Sequence, residues 1–177
     1  KAYNQNPENK FVSKENAHKA IDARMRMLRI IQDGEVCAQV NWFGVHATCI
    51  GKDNHHISSD NKGYAAAGFE KKGRKLGIFA QGLSGDVSPY YHGPGDLNKR
   101  KSNKGQLEHD FARINGEMQA DEADKLFEMP PAEIIKGCID GEIVNHDFAK
   151  IHVDKQFANG FENAKTGQAC LGVAFFN

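Results

Sequence analysis

Three short stretches of this sequence end apolar runs with residues that can do chemistry. The first ends in His46, whose imidazole could hold a metal ion, act as a general base, or make a hydrogen bond within a core. The second contains Asp60 and Asn61, which could cap a helix or orient a neighbouring reactive group. The third contains Ser88 in a glycine-rich turn, where a serine could be an exposed nucleophile or simply part of a Ser/Asp turn.

A serine hydroxyl needs an activator, either an adjacent base or a metal ion, before it becomes a useful nucleophile. The surroundings of Ser88 lack the G-x-S-x-G frame of a nucleophile elbow, and Ser84 has Asp86 where the second glycine of that frame should stand. His46 could supply a metal ligand. His92 is the histidine nearest to Ser88 in the sequence, and it would be the base if the chain were an unrelated serine hydrolase.

Hydrophobic spacing and turn residues predict the elements that must position these groups. Asp33-Gly34 predicts a turn, and Pro130-Pro131 must end the helix before it. The alternation of helix and strand patterns predicts an α/β fold with a mixed sheet flanked by helices. The predicted helices are Lys14–Ile31, Lys62–Lys71 and Leu107–Phe127, and the predicted strands are Val36–Ala47, Gly77–Ala80, Glu142–Val153 and Gln168–Phe176.

Composition limits the classes of protein to consider. The 177 residues suffice for one domain of the usual size, about 100–150 residues. The 23 basic and 23 acidic residues give no net charge, which argues against a nucleic-acid binder. No apolar run approaches the about 20 residues of a transmembrane helix. None of the four cysteines forms a C-x-x-C pair, so zinc-ribbon and thioredoxin-type motifs are absent from the sequence.

Taken in order, the three stretches resemble the neutral/alkaline ceramidase family. They read N-W-F-x-V-H-x-T, then I-S-x-D-N-K-G-Y-A, then F-A-Q-x-x-x-G-D-V-S-P. The stretches Ala2–Pro7 and Ala169–Phe175 also resemble parts of that family, and the similarity is weakest over Tyr90–Phe161. Several ordered motifs at compatible spacing make the resemblance specific.

The resemblance implies a zinc-dependent amidase that hydrolyses ceramide to sphingosine and a fatty acid. The family's serine nucleophile lies in G-D-V-S-P and matches Ser88, and the histidine of N-W-F-x-V-H is a zinc ligand and matches His46. Zinc lowers the pKa of a bound water to about 7, which would provide the base that the serine needs. The family's other zinc ligands, a second His, a Glu and a Tyr, match no position of this chain.

The resemblance also implies supporting roles. Gly85 and Asp86 would shape the turn that aims the serine, and Asp60 with Asn61 would support the site rather than react. Residues 1–177 are then expected to form a single partial catalytic domain, an internal piece of a larger layered one.

With one zinc ligand, the isolated chain is expected to bind zinc weakly or not at all and to show little or no activity. The implied partners are ceramide or a related N-acyl sphingolipid, the remainder of the same polypeptide, and a membrane contacted peripherally, but no nucleic acid. The implied location is secreted, periplasmic or at the cell surface. The alternative is a non-catalytic module that keeps the ceramidase-like fold and binds lipid or protein.

Overall fold

The computed structural model describes residues 3–5, 9–85, 87–89 and 106–168. Two compact units make up the chain, Lys1–Pro131 and Ala132–Asn177. All the candidate site residues belong to the first unit. That residues 1–177 form a single partial catalytic domain stays a prediction.

A three-stranded mixed sheet organises the first unit, in the order β1 (Arg26–Gln32), β2 (Glu35–Phe43) and β3 (Leu76–Gln81). β1 and β2 form an antiparallel hairpin. The predicted turn at Asp33-Gly34 joins them, and both turn residues have positive φ, 53° and 83°, as the favoured two-residue hairpin turns require. β2 and β3 run parallel. The predicted α/β class with a mixed sheet is confirmed.

Two helices cover one face of this sheet. Helix α1 (Asp60–Lys71) connects β2 to β3 as a parallel crossover, and helix α2 (Gln106–Glu128) ends just before the two prolines. Both were predicted from the sequence with nearly these bounds. Three short 3-10 helices complete the described elements, namely Tyr3–Gln5, Lys14–Ala20 and Lys155–Phe157.

The core lies between the sheet and the two helices. Phe69 of α1 is fully buried and meets the rings of Phe79 and Phe127 edge-to-face, at centroid distances of 6.1 and 6.0 Å. Edge-to-face pairs at this separation add to the stability gained by burying the rings. The residues packed with Phe69 are Met25, Met27, Phe79, Ala120, Ala123 and Phe127.

The opposite face of the sheet is apolar and partly exposed. Val40 of β2 lies between Leu28 and Ile78 in the register, and these two neighbours are 41% and 43% exposed. The polar side chains of Gln39 and Asn41 point the other way and are fully buried under the helices. Strand β2 therefore turns its polar side chains toward the helices and its apolar side chains toward the partly exposed face. This is the reverse of an ordinary surface strand.

The predicted helix Lys14–Ile31 is wrong. A 3-10 helix occupies only Lys14–Ala20, and the following residues form strand β1. Asp22 accepts hydrogen bonds from the side chains of Arg24 and Arg26, at 2.8 Å each. These contacts hold the chain extended where the pattern had suggested a continuous helix.

The remaining strand predictions have mixed outcomes. The strand predicted over Val36–Ala47 is present but ends at Phe43. The predicted strand Glu142–Val153 is wrong, because its described residues find no neighbouring strand and make only the isolated bridge between His152 and Lys165. The predicted strand Gln168–Phe176 lies outside the described residues except for its first residue.

Candidate active site

The parallel pairing of β2 and β3 brings two of the three chemical stretches to one edge of the sheet. His46 follows the carboxyl end of β2, and Ser88 follows the carboxyl end of β3. The carboxyl ends of neighbouring parallel strands meet at the same edge, which is where α/β proteins bind ligands.

His46 joins the two loops directly. Its backbone N–H donates to the Val87 carbonyl at 3.2 Å, and its Nε2 lies 3.1 Å from the Gly85 carbonyl. A carbonyl oxygen only accepts, so this contact requires a proton on Nε2, and in the neutral imidazole Nδ1 is then the nitrogen able to bind a metal ion. Metal-binding histidines are typically held in this way, with one ring nitrogen on a backbone carbonyl. The exposed imidazole of His46 therefore fits a metal ligand.

Ser88 is exposed, while the residues around it are fixed. Before it, the Val87 N–H donates to the Ser84 carbonyl, and the Val87 carbonyl accepts from the backbone of His46. After it, Pro89 is fully buried. An exposed serine on a restrained backbone is an arrangement suited to a nucleophile.

Asp60 and Asn61 brace the segment that follows β2. Asp60 is buried and has a φ of 51°; its carboxylate accepts from the Ile50 N–H at 2.8 Å and from the Asn61 N–H at 2.6 Å. The fully buried Asn61 side chain donates to the His46 carbonyl at 2.9 Å. The structure thus brings Asn61 against the backbone of the candidate ligand and Asp60 against the backbone of Ile50 in the segment that follows it, while their functional roles stay predictions.

Cys49 lies beside Asn61, whose Nδ2 is 3.5 Å from its sulfur. Burial raises the pKa of the Cys49 thiol to about 12. The thiol is therefore protonated at neutral pH and is a poor nucleophile or metal ligand. Of Cys49 and Ser88, only Ser88 is therefore an exposed candidate nucleophile.

Three polar residues close to the site were not predicted from the sequence. Lys62 of α1 donates to the Phe43 carbonyl and to Gln119 of α2, and Gln119 in turn contacts Asn115. The D-N-K-G motif was a signal for Lys62. The signal for Asn115 and Gln119 was their i,i+4 spacing on α2. The residues near this pair are small, namely Ala112, Gly116, Ala120 and Ala123.

The described residues offer one candidate metal ligand, His46, rather than a complete set. They contain no group of three or more His, Cys, Asp or Glu side chains that could hold a metal ion. A catalytic zinc site uses about three protein ligands. Two residues of the sequence-based hypotheses, Asp86 and His92, lie outside the described residues.

A serine and a histidine at the carboxyl edge of parallel strands are typical of hydrolase sites in α/β proteins. The family described as "Neutral/alkaline non-lysosomal ceramidase, N-terminal" matches residues 1–177. The chain therefore belongs to the neutral/alkaline ceramidase family, as its motifs predicted.

Individual relatives agree with this assignment. Neutral ceramidase A of Dictyostelium discoideum is 29% identical over 204 residues, which cover 98% of this chain and 28% of that protein. Neutral ceramidase of Pseudomonas aeruginosa is 31% identical over 147 residues, which cover 79% of this chain and 21% of that protein. The chain thus spans less than a third of the length of these relatives.

Solved structures share the fold. The crystal structure of neutral ceramidase from Pseudomonas aeruginosa superposes with a TM-score of 0.62 at 24% identity, covering 99% of this chain and 27% of that one. A structure described as a ceramidase complexed with C2 gives a TM-score of 0.60 at 25% identity, covering 90% of this chain and 24% of that one. Neither α1 nor α2, nor any shorter helix among the described residues, has the length and apolar character to cross a membrane.

Proposed function

We propose that this chain supplies the nucleophile and one metal ligand of a zinc-dependent amidase that hydrolyses the N-acyl bond of ceramide. The observation that carries the proposal is the pair of contacts that joins the loop after β2 to the loop after β3. His46 contacts the carbonyls of both Gly85 and Val87, immediately before Ser88. Membership of the ceramidase family supplies the substrate class.

The proposed chemistry begins at the hydroxyl of Ser88. The oxygen attacks the carbonyl carbon of the amide, and the C–N bond breaks as the nitrogen takes up a proton and leaves as sphingosine. The acyl group remains on the serine as an ester, which water then hydrolyses to release the fatty acid. The fixed backbone on both sides of Ser88 lowers the entropy cost of aligning the hydroxyl with the amide.

His46 is the residue of this chain that would hold zinc, through Nδ1. When bound, the ion would polarise the amide carbonyl and lower the pKa of a bound water. The Gly85 carbonyl fixes the tautomer and orientation of the ring. Gly85 and Asp86 would shape the turn, and Asp60 with Asn61 would hold the backbone of the ligand in place.

A sphingolipid substrate places the proposed enzyme where such lipids are accessible. We therefore propose a secreted, periplasmic or cell-surface protein that contacts membranes peripherally, with the remainder of the polypeptide completing the zinc site. Reporter fusions of the full-length protein, tested for protease protection in intact cells, would check this. Protection of the reporter inside the cell would contradict the location.

The decisive experiment compares two serines of one turn in the full-length protein. We expect Ser88→Ala to lower ceramide hydrolysis by at least about 1,000-fold. The matched control, Ser84→Ala, should retain most of the activity, because among the described residues Ser84 contacts the site through its backbone carbonyl, which the substitution keeps. Removal of zinc by a chelator should also abolish activity, and added zinc should restore it.

The alternatives make different predictions in the same assay. Unchanged hydrolysis in Ser88→Ala would remove the nucleophile assignment and favour the lipid- or protein-binding module. Loss of activity in His92→Ala together with insensitivity to chelation would favour the unrelated serine hydrolase.

A further inference from the structure

A row of three polar side chains runs between α1 and α2 and connects the end of β2 to the loop after β3. Lys62 Nζ donates to the Phe43 carbonyl and to Gln119 Oε1, at 2.8 Å each. Gln119 Nε2 donates to Asn115 Oδ1 at 2.9 Å, and Asn115 Nδ2 donates to the Pro89 carbonyl at 3.5 Å. These three residues are called the polar row below.

Lys62 sets the direction of every bond in the polar row. An ammonium group only donates, so the oxygen of the Gln119 amide must face it and the nitrogen must face Asn115. Asn115 then presents its oxygen to Gln119, and its nitrogen is left for the carbonyl of Pro89. Reversing either amide would bring two donors or two acceptors together.

Both ends of the polar row lie at the candidate site. The Phe43 carbonyl also accepts from the Gly82 N–H at 3.1 Å, so it joins the end of β2 to the beginning of the loop after β3. The other end, the Pro89 carbonyl, directly follows Ser88. The polar row therefore braces the two segments that carry His46 and Ser88 from behind, between the helices.

Burying the polar side chains of this row costs free energy of folding, and a purely structural element would not require that cost. Gln119 is 4% exposed, and burial lowers the pKa of Lys62 to about 8. Replacing both partners of a buried polar contact by apolar side chains of the same shape can be nearly neutral or even stabilising. A cost of this kind is expected where geometry is needed for function.

We propose that Lys62, Gln119 and Asn115 are positioning residues that fix the backbone of Ser88 relative to His46. The role in catalysis rests on the proposed function, in which Ser88 is the nucleophile. Among the described residues, they reach the two segments through the carbonyls of Phe43 and Pro89.

The test variant is Gln119→Glu in the full-length protein. A glutamate still accepts from Lys62, so the fold and the melting temperature should be preserved. It cannot donate to Asn115, whose amide must then reverse and turn its oxygen against the Pro89 carbonyl. The matched control is Gln32→Glu, which makes the same change on an exposed end of β1.

Two readouts are measured for each variant. In Gln119→Glu, kcat for ceramide hydrolysis should fall by about 10- to 100-fold with KM little changed, because orientation is lost and substrate binding is not. Hydrogen exchange should become faster at the amide of His46, which donates to Val87 across the two loops, and at the amide of Val87, which donates to Ser84 within the second loop. Gln32→Glu should change neither readout.

The outcomes separate this inference from the proposed function. If Gln119→Glu folds and both kcat and hydrogen exchange are unchanged, the positioning role of the polar row is wrong. The assignment of Ser88 as the nucleophile is then unaffected. If the wild-type protein does not hydrolyse ceramide, the proposed function fails, and the exchange rates still decide whether the polar row fixes the loops. If Gln119→Glu does not fold, Asn115→Ala removes the bonds of Asn115 to Gln119 and to the Pro89 carbonyl and keeps those of Lys62, and the same two readouts then decide.

Discussion

At the scale of single residues, Lys62 has the clearest consequence for pH. Burial lowers its pKa from the ordinary 10.5 to about 8. Between these values the unfolded chain binds more protons than the folded one, so stability rises as pH increases through that window. One pKa unit corresponds to about 1.4 kcal/mol, and solvent screens this partly buried amine, so the rise should amount to about 1–2 kcal/mol.

Lys62→Met tests this linkage. The variant should lose the increase in the free energy of unfolding between about pH 8 and 10.5, measured by urea denaturation at several pH values. Lys125→Met is the control, because the side chain of Lys125 is 73% exposed and should contribute no such slope. An equally steep rise in Lys62→Met and wild type would show that another group is responsible.

Asp60 is the second residue whose substitution has a graded expected effect. Its carboxylate satisfies two backbone N–H groups, those of Ile50 and Asn61. Asp60→Ala leaves both without their acceptor and should lower the free energy of unfolding by about 1–3 kcal/mol. Asp60→Asn keeps one acceptor and tolerates the positive φ, so its loss should be smaller.

Urea denaturation midpoints check this order. Asp140→Ala is the matched control, because its exposed carboxylate accepts from a single N–H among the described residues, that of the neighbouring Gly141. It should shift the midpoint little. Equal stability of Asp60→Ala and Asp140→Ala would mean that the buried contacts of Asp60 contribute nothing measurable.

At the scale of elements, the contact between α1 and α2 depends on the absence of a side chain at Gly116. A Cβ there would lie 2.5 Å from Tyr64 Cβ, 2.6 Å from the Asn61 carbonyl oxygen and 2.7 Å from the Ala65 nitrogen. Two of these are backbone atoms of α1 and cannot rotate away. The helices must therefore separate to admit even a methyl group.

We expect Gly116→Ala to destabilise the first unit by about 1–3 kcal/mol, the usual cost of overpacking, although alanine favours the helix by about 1 kcal/mol. It should also weaken activity, because Asn61 holds the His46 backbone. The control is Gly68→Ala, whose Cβ would meet only Ala120 Cβ at 3.2 Å. Thermal melts should rank Gly116→Ala well below Gly68→Ala, and a reversed ranking would contradict the close approach at Gly116.

The elements also show how far the sequence could predict this fold. α1, β3 and α2 were predicted because each has a clear period and a clear stop. β1 was missed because Met25, Leu28 and Ile31 have helical spacing, while the competing signal was a hairpin turn at Asp33-Gly34. Local spacing cannot decide between these alternatives, since the choice depends on pairing with β2.

The candidate site was predictable in its residues and not in its geometry. His46 and Ser88 were identified by motif, but their proximity depends on the parallel pairing of β2 with β3, which is a long-range contact. The polar row was missed for the same reason. Gln119 faces Lys62 only because α1 and α2 pack together, and helix periodicity alone does not reveal which polar residue is buried.

At the scale of the whole molecule, the last prediction follows from the number of zinc ligands. His46 is the one zinc ligand that we propose from the described residues, which contain no group of three or more His, Cys, Asp or Glu able to hold a metal ion, whereas a catalytic zinc site needs about three protein ligands. The relatives are more than three times as long as the part that this chain matches. We therefore expect the full-length protein to contain about one zinc ion per molecule, and this 177-residue chain by itself to contain far less.

Elemental analysis of purified, dialysed samples measures this directly. In the full-length protein, His46→Ala should lose most of the zinc, because removal of one ligand of a catalytic site weakens the coordination of the ion. His18→Ala is the matched control, since His18 is exposed in a 3-10 helix remote in sequence from the site motifs, and it should retain the metal. Stoichiometric zinc in the 177-residue chain alone, or in His46→Ala, would show that the ligand set differs from the one proposed.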